Sequence, residues 1–111
     1  DRYITLCQDT NNKDSFKIGL NSEHGFAMYF NHGDLFLKQF TPVENGNYPD
    51  GGMSFETFTN HIFLEMETLG ETVKLQPEET VTHCENWSLF KEERPGDDEA
   101  ELDRLVEKYV R

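Results

Sequence analysis

The strongest constraint on this chain is a period-two alternation of apolar residues, broken at short intervals by clusters of turn-forming residues. The runs "RYITLC" with Tyr3, Ile4 and Leu6, "SFKIGL" from Ser15, "GFAMYF" from Gly25 and "DLFLKQF" from Asp34 are short and rich in aromatic side chains. Successive side chains on a strand point to opposite faces, so runs of this kind predict half-buried β-strands. Between them lie "DTNNKD", "NSEH" and "NHG". Asn, Asp and Ser can bond their own backbone there, and Gly lacks the Cβ that forbids tight reversals, so these clusters read as hairpin connections. His32, inside "NHG", reads as a turn residue.

The segment "TPVENGNYPDGG", Thr41 to Gly52, holds two prolines and three glycines and predicts a long irregular loop. After it come "MSFETF", "IFLEMETL", "TVKLQ" and "ETVTHCENWSLF", which bring the expected strands to about eight. In the last run Val81, His83, Glu85, Trp87 and Leu89 share one face by parity, and Thr82, Cys84, Asn86, Ser88 and Phe90 share the other. "LQPEE" reads as a turn, because Pro77 has no amide donor and fixes φ. The tail "RPGDDEAELDRLVEKYVR" carries helical spacing at Leu102, Leu105, Val106 and Tyr109, with Asp98 three residues ahead of Glu101 in a capping-box arrangement. The expected fold is mostly β, an antiparallel β-sandwich over residues 1–94, with one C-terminal α-helix over 95–111 packed on the same domain.

Composition narrows function by exclusion. The 111 residues suit one small domain, and 35% apolar residues suffice for one core. Acidic residues outnumber basic ones 22 to 10, and a net charge of −12 opposes any phosphate backbone, so no nucleic-acid partner is expected. No window approaches the roughly 20 apolar residues of a membrane span, which predicts a soluble, cytoplasmic chain with no membrane partner. Cys7 and Cys84 stand alone and read as small buried apolar residues rather than a disulfide or a zinc pattern. No phosphate loop, nucleophile elbow or His-x-x-x-His pair is present, and His24, His32, His61 and His83 are scattered singly, so neither a metal nor a cofactor is expected. A start at Asp1-Arg2-Tyr3 without an initiator methionine predicts a piece of something longer.

The order "GGMSFETFTN" followed by "LGETVKLQPEETVTHCENWSLF" resembles the C-terminal part of the galactose mutarotase-like superfamily. In that superfamily a Gly-containing lead-in, a Leu-Glu-Thr-Gln strand, a Pro-Gly-Glu turn and a final aromatic strand succeed each other. The match is nearer to an uncharacterised branch with "YPDGG", a Phe-Glu-Thr-aromatic-Thr-Asn strand and a His-x-Glu-x-Trp-x-Leu-Phe-like strand. It covers roughly Phe16 to Phe90. Glu78 stands where the mutarotase turn has Gly, and Phe58 where it has Gln.

The resemblance implies a supersandwich fold and places the mutarotase general base on Glu56. It further implies a carbohydrate ligand, with His24, Tyr48, Asp50, Phe58 and Asn60 as candidate contacts. By parity Ser54, Glu56, Phe58 and Asn60 share a strand face, so a ring that stacks on sugar would stand beside the carboxylate. The family's acid histidine comes from an earlier part of a longer chain, so the expected function is a carbohydrate-binding or aldose-epimerase-like portion, incomplete as an enzyme alone. The alternative is a non-catalytic carbohydrate-binding or structural β-sandwich module. A half-sandwich leaves open edges, which predicts a homo-oligomer or pairing with the remainder of a parent domain.

Overall fold

The computed structural model describes residues 2–110; Asp1 and Arg111, the outermost residues of the two expected ranges, lie outside the described residues. Six strands form: β1 (Phe16–Leu20), β2 (Phe26–Asn31), β3 (Asp34–Phe40), β4 (Phe55–Thr59), β5 (Leu64–Thr68) and β6 (Glu85–Lys91). One helix, Glu99–Tyr109, follows them. The strands make two three-stranded sheets, ordered β1-β4-β5 and β2-β3-β6. The chain is therefore mostly β and antiparallel with a C-terminal helix, as its alternation predicts. It divides into two compact units, one built from residues 2–7, Phe26–Gln39 and 86–110, the other from Gln8–Gly25 and Phe40–Glu85.

In the first unit β2 and β3 form a hairpin whose last pair is Asn31 with Asp34. His32 and Gly33 between them have φ of 50° and 76°. Positive φ at both central residues is what a two-residue hairpin turn needs to match strand twist. Alternation along β3 sends Leu35 and Leu37 to complete burial. The helix starts where Asp98 accepts a hydrogen bond from Ala100 N. Glu101 does not close the expected capping box; it accepts instead from Gly96 N, which ties the preceding turn to the first helical turn. Leu105 is the helix's buried residue, and Tyr109 stacks on Phe90 at 4.3 Å between ring centroids. Glu92 accepts from both Tyr109 Oη at 2.6 Å and Lys108 Nζ at 2.8 Å. At the other side Tyr3 Oη and Arg2 Nη2 both donate to Asp103.

In the second unit β4 is the central strand, with Ile18, Thr57 and Met66 in register on one face and Gly19, Glu56 and Glu67 on the other. Gly25 ends the segment that leads out of this unit. Its φ is +65°, and a Cβ there would stand 2.1 Å from the Phe40 carbonyl oxygen, so only glycine fits.

Among the described residues two of the expected strands are absent and a third is shortened. "RYITLC", "TVKLQ" and the "ETVTHC" half of the last run have no ladder partner and stay irregular, with Ile4, Val73, Leu75 and Val81 all exposed. Their apolar alternation satisfies the local condition for a strand, but a strand is stable only beside another. Cys7 and Cys84 are likewise exposed, contrary to their expected burial. Each sits in one of these irregular stretches, where no sheet face exists to cover it.

Two measurements test this arrangement. Leu35→Ala should cost about 2–5 kcal/mol in chemical denaturation, because a fully buried side chain leaves a cavity. Acid should loosen the helix: hydrogen bonds from Lys108 and Tyr109 lower the Glu92 pKa, and those from Tyr3 and Arg2 lower that of Asp103. A carboxylate with a lowered folded-state pKa stabilises above its ordinary titration range and loses that stabilisation as pH falls through the lowered value. Glu92→Gln combined with Asp103→Asn should remove this part of the acid dependence of the denaturation midpoint.

Candidate functional site

Glu56 sits at the centre of β4, and its position follows from the residues before it. Met53 N donates to Pro49 O, closing the turn Pro49–Gly52, in which Asp50, Gly51 and Gly52 all have positive φ. Ser54 is then completely buried, its N–H bonded to Leu20 O. That bond fixes the register, so that Glu56 faces Gly19 on β1 and Glu67 on β5. Gly19 offers no side chain opposite the carboxylate, and the Met53 side chain fills the space, within 2.7 Å of where a Gly19 Cβ would be.

The carboxylate is therefore buried, with 4% of the residue exposed, and it is paired: Lys17 Nζ lies 2.5 Å from its Oε2. Lys17 pairs directly with Phe58, so the contact with Glu56 is a diagonal one, which a long side chain can span. The hydrogen bond to Glu56 raises the Lys17 pKa, and the nearby charges of Glu56, Glu67 and Asp50 raise it further. The lysine side chain is half exposed. A buried carboxylate is thus neutralised by a cation that keeps contact with water, which lowers the desolvation cost of the pair.

Of the other candidate residues, Phe58 and Asp50 come near the Glu56–Lys17 pair, and Tyr48 and Asn60 are held by local hydrogen bonds. Tyr48 is buried, its hydroxyl accepting from Val43 N at 2.8 Å, and it closes its own loop. Asn60 accepts from Ile62 N and Phe63 N through Oδ1, which spends its side chain on the β4–β5 turn. Phe58 packs against Phe63 at 5.6 Å. His24 is exposed in the β1–β2 connection. Asp50, exposed, is brought near Lys17.

Two groupings escape the sequence reading. The first is Lys17 itself, whose contact depends on the β1–β4 register and so on a pairing that no local pattern states. The second surrounds Thr68, whose hydroxyl meets both the Glu85 carboxylate and His83 Nε2, the latter at 2.7 Å. A hydroxyl has one proton and an ionised carboxylate can only accept, so Thr68 donates to Glu85 and His83 Nε2–H donates to Thr68. His83 is then no base toward Thr68. The grouping anchors the irregular 81–84 segment to β5 instead of activating a nucleophile. A groove of about 230 Å³ lined by Glu92, Arg104, Leu105 and Lys108 contains none of the candidate residues. Among the described residues no group of three or more His, Cys, Asp or Glu side chains is placed to hold a metal, and no helix is long and apolar enough to cross a membrane.

Taken together, these features define a mostly-β protein of two small antiparallel sheets with one buried, ion-paired carboxylate. No protein-family model, curated protein or solved structure matches the chain.

The ion pair predicts an order of stabilities. Lys17→Met leaves Glu56 buried without a counter-charge, whereas Glu56→Gln leaves a lysine that can turn to solvent, so Lys17→Met should be the more destabilising in urea titrations. A raised lysine pKa contributes stability that is complete below its ordinary value and is lost as pH rises through the folded-state value. The gap between wild type and Lys17→Met should therefore be full at neutral pH and close in strong alkali.

Proposed function

We propose that this chain is a non-catalytic carbohydrate-binding β-module, in which an aromatic face of the β2-β3-β6 sheet meets the sugar. The observation that carries the reading is Trp87, which is 67% exposed yet held in orientation. Phe36 contacts its indole edge-on at 5.7 Å, and Lys38 Nζ lies 5.4 Å from its ring centroid. Tyr29 pairs with Phe36 across β2 and β3 and so shares that face. A ring that is fixed but open to water loses little entropy on binding and offers a flat apolar surface for the C–H face of a pyranose.

The absence of turnover rests on Glu56. A general base must reach the proton it removes, within about 3 Å of a bound hydroxyl. Glu56 is buried and bonded to Lys17, while Tyr48 and Asn60 spend polar groups on local hydrogen bonds and Phe58 packs on Phe63. The mutarotase-like order of motifs supports the carbohydrate class, and the buried carboxylate supports binding over epimerisation.

Trp87 is the single tryptophan, so its fluorescence reports on this face without labelling. Titration with a panel of aldoses and soluble oligosaccharides should give a saturable change for at least one member, and calorimetry should show that binding lost in Trp87→Ala. Polarimetry should find mutarotation at the buffer rate for wild type and Glu56→Gln alike. No saturable signal across the panel overturns the binding reading; a rate above buffer that Glu56→Gln abolishes restores the enzyme.

A further inference from the structure

The edge strand β6 has a charge pattern that is complementary to itself. Among the described residues β6 has a single ladder neighbour, β3, and its sequence is "ENWSLFK", with Glu85 at one end and Lys91 at the other. We infer that β6 is a homodimerisation edge, where a second copy of this chain adds its own β6 antiparallel about a two-fold axis at Ser88. The register is dictated by the residues. Centred on Ser88, the pairing sets Glu85 opposite the second copy's Lys91 twice over, Asn86 opposite Phe90, and Trp87 opposite Leu89.

Three observations favour a second copy as the occupant. The seven residues of β6 carry one acid and one base, so this edge is neutral in a chain of net charge −12, and two copies meet there without net repulsion. Trp87 and Leu89 are 67% and 70% exposed and share a face with Glu85 and Lys91, so each would gain an apolar neighbour across the dyad. Lys91 is held at 2.7 Å from Asp34 with most of its side chain in water, which presents the ammonium at the strand end without burying it. Exposed edges of this kind, left unpaired, are ready templates for another strand. The dimer continues β2-β3-β6 into a six-stranded sheet. This inference does not depend on the carbohydrate reading, although both use the exposed Trp87.

A charge swap tests it. Sedimentation over a concentration series should show reversible assembly from 13.0 kDa to twice that mass. Glu85→Lys and Lys91→Glu should each weaken assembly by roughly tenfold or more, because each sets two like-charged pairs opposite one another. The double variant should restore it. Since Glu85 also bonds Thr68 and Lys91 also bonds Asp34, a second test avoids both. In a Cys7→Ser, Cys84→Ser background, Ser88→Cys should cross-link on mild oxidation, because residues directly opposite in an antiparallel ladder have Cα atoms about 4.5–5.5 Å apart, within disulfide reach. Asn86→Cys in that background, two positions off the dyad, should not. A monomer at every concentration, cross-linking equal at both sites, or a double variant no better than the singles overturns the inference.

Discussion

Ser54 is the point on which the second unit depends. It is completely buried, and all three of its polar groups are used: its N–H bonds Leu20 O at 3.0 Å, its carbonyl accepts from Leu69 N at 2.9 Å, and its hydroxyl oxygen accepts from Ser22 N at 2.8 Å. Those partners belong to the end of β1, the end of β5 and the connection toward β2. A small hydroxyl is the side chain that fits, since it adds an acceptor without volume where three segments meet. Each buried backbone group would otherwise lack water and partner alike, at a cost of about 1–3 kcal/mol apiece. With β4 pinned between β1 and β5 at this residue, the register two positions later is no longer free.

That register is why a carboxylate can stand inside the sheet. A one-residue slip would send Glu56 to the face now held by Phe55 and Thr57, away from Lys17. In the observed register the carboxylate meets a glycine on one side, a methionine filling the gap, and a lysine on the diagonal. A mutarotase-like order of motifs would make Glu56 a base for chemistry; the geometry around it tolerates a charge within a sheet. The two readings share one residue and part at Lys17, which contacts Oε2 and holds the carboxylate as the buried half of an ion pair.

What the sequence made legible was the local part of the fold. The alternation at "SFKIGL", "GFAMYF", "DLFLKQF" and "MSFETF", the positive-φ turn at His32-Gly33 and the helix after Pro95-Gly96 all depend on residues close in the chain. "LQPEE" is also a turn as read, with Glu79 N bonded to Gln76 O. What failed depends on partners. "TVKLQ" alternates as well as β5 does, but β5 has β4 beside it and "TVKLQ" has no strand beside it. The surroundings of the candidate site depend on partners as well: parity puts Glu56 and Phe58 on one face of β4, while the lysine beside Glu56 comes from β1, well back in the chain. Tyr48 and Asn60 carry the chemistry of sugar contacts, yet short local hydrogen bonds claimed both, and such self-satisfying turns are as common a use of those side chains.

The scarcity of cations gives the remaining charge its meaning. With 10 basic residues against 22 acidic ones, most carboxylates have no counter-ion and must stay in water. The pairs Arg94–Asp97 and Lys108–Glu92 lie on the surface, where screening and side-chain entropy leave an ion pair worth little. Lys17–Glu56 differs because one partner is buried, so the cation is required there and not merely attracted. An excess of acid of this size repels other copies of the chain over most of its surface, and the repulsion is screened within about 8 Å at physiological salt. Contact is then decided by the few places where charge balances locally. In the sheet β2-β3-β6 the edge strand β6 is one such place, with its single acid and single base at opposite ends of a strand that also exposes Trp87 and Leu89.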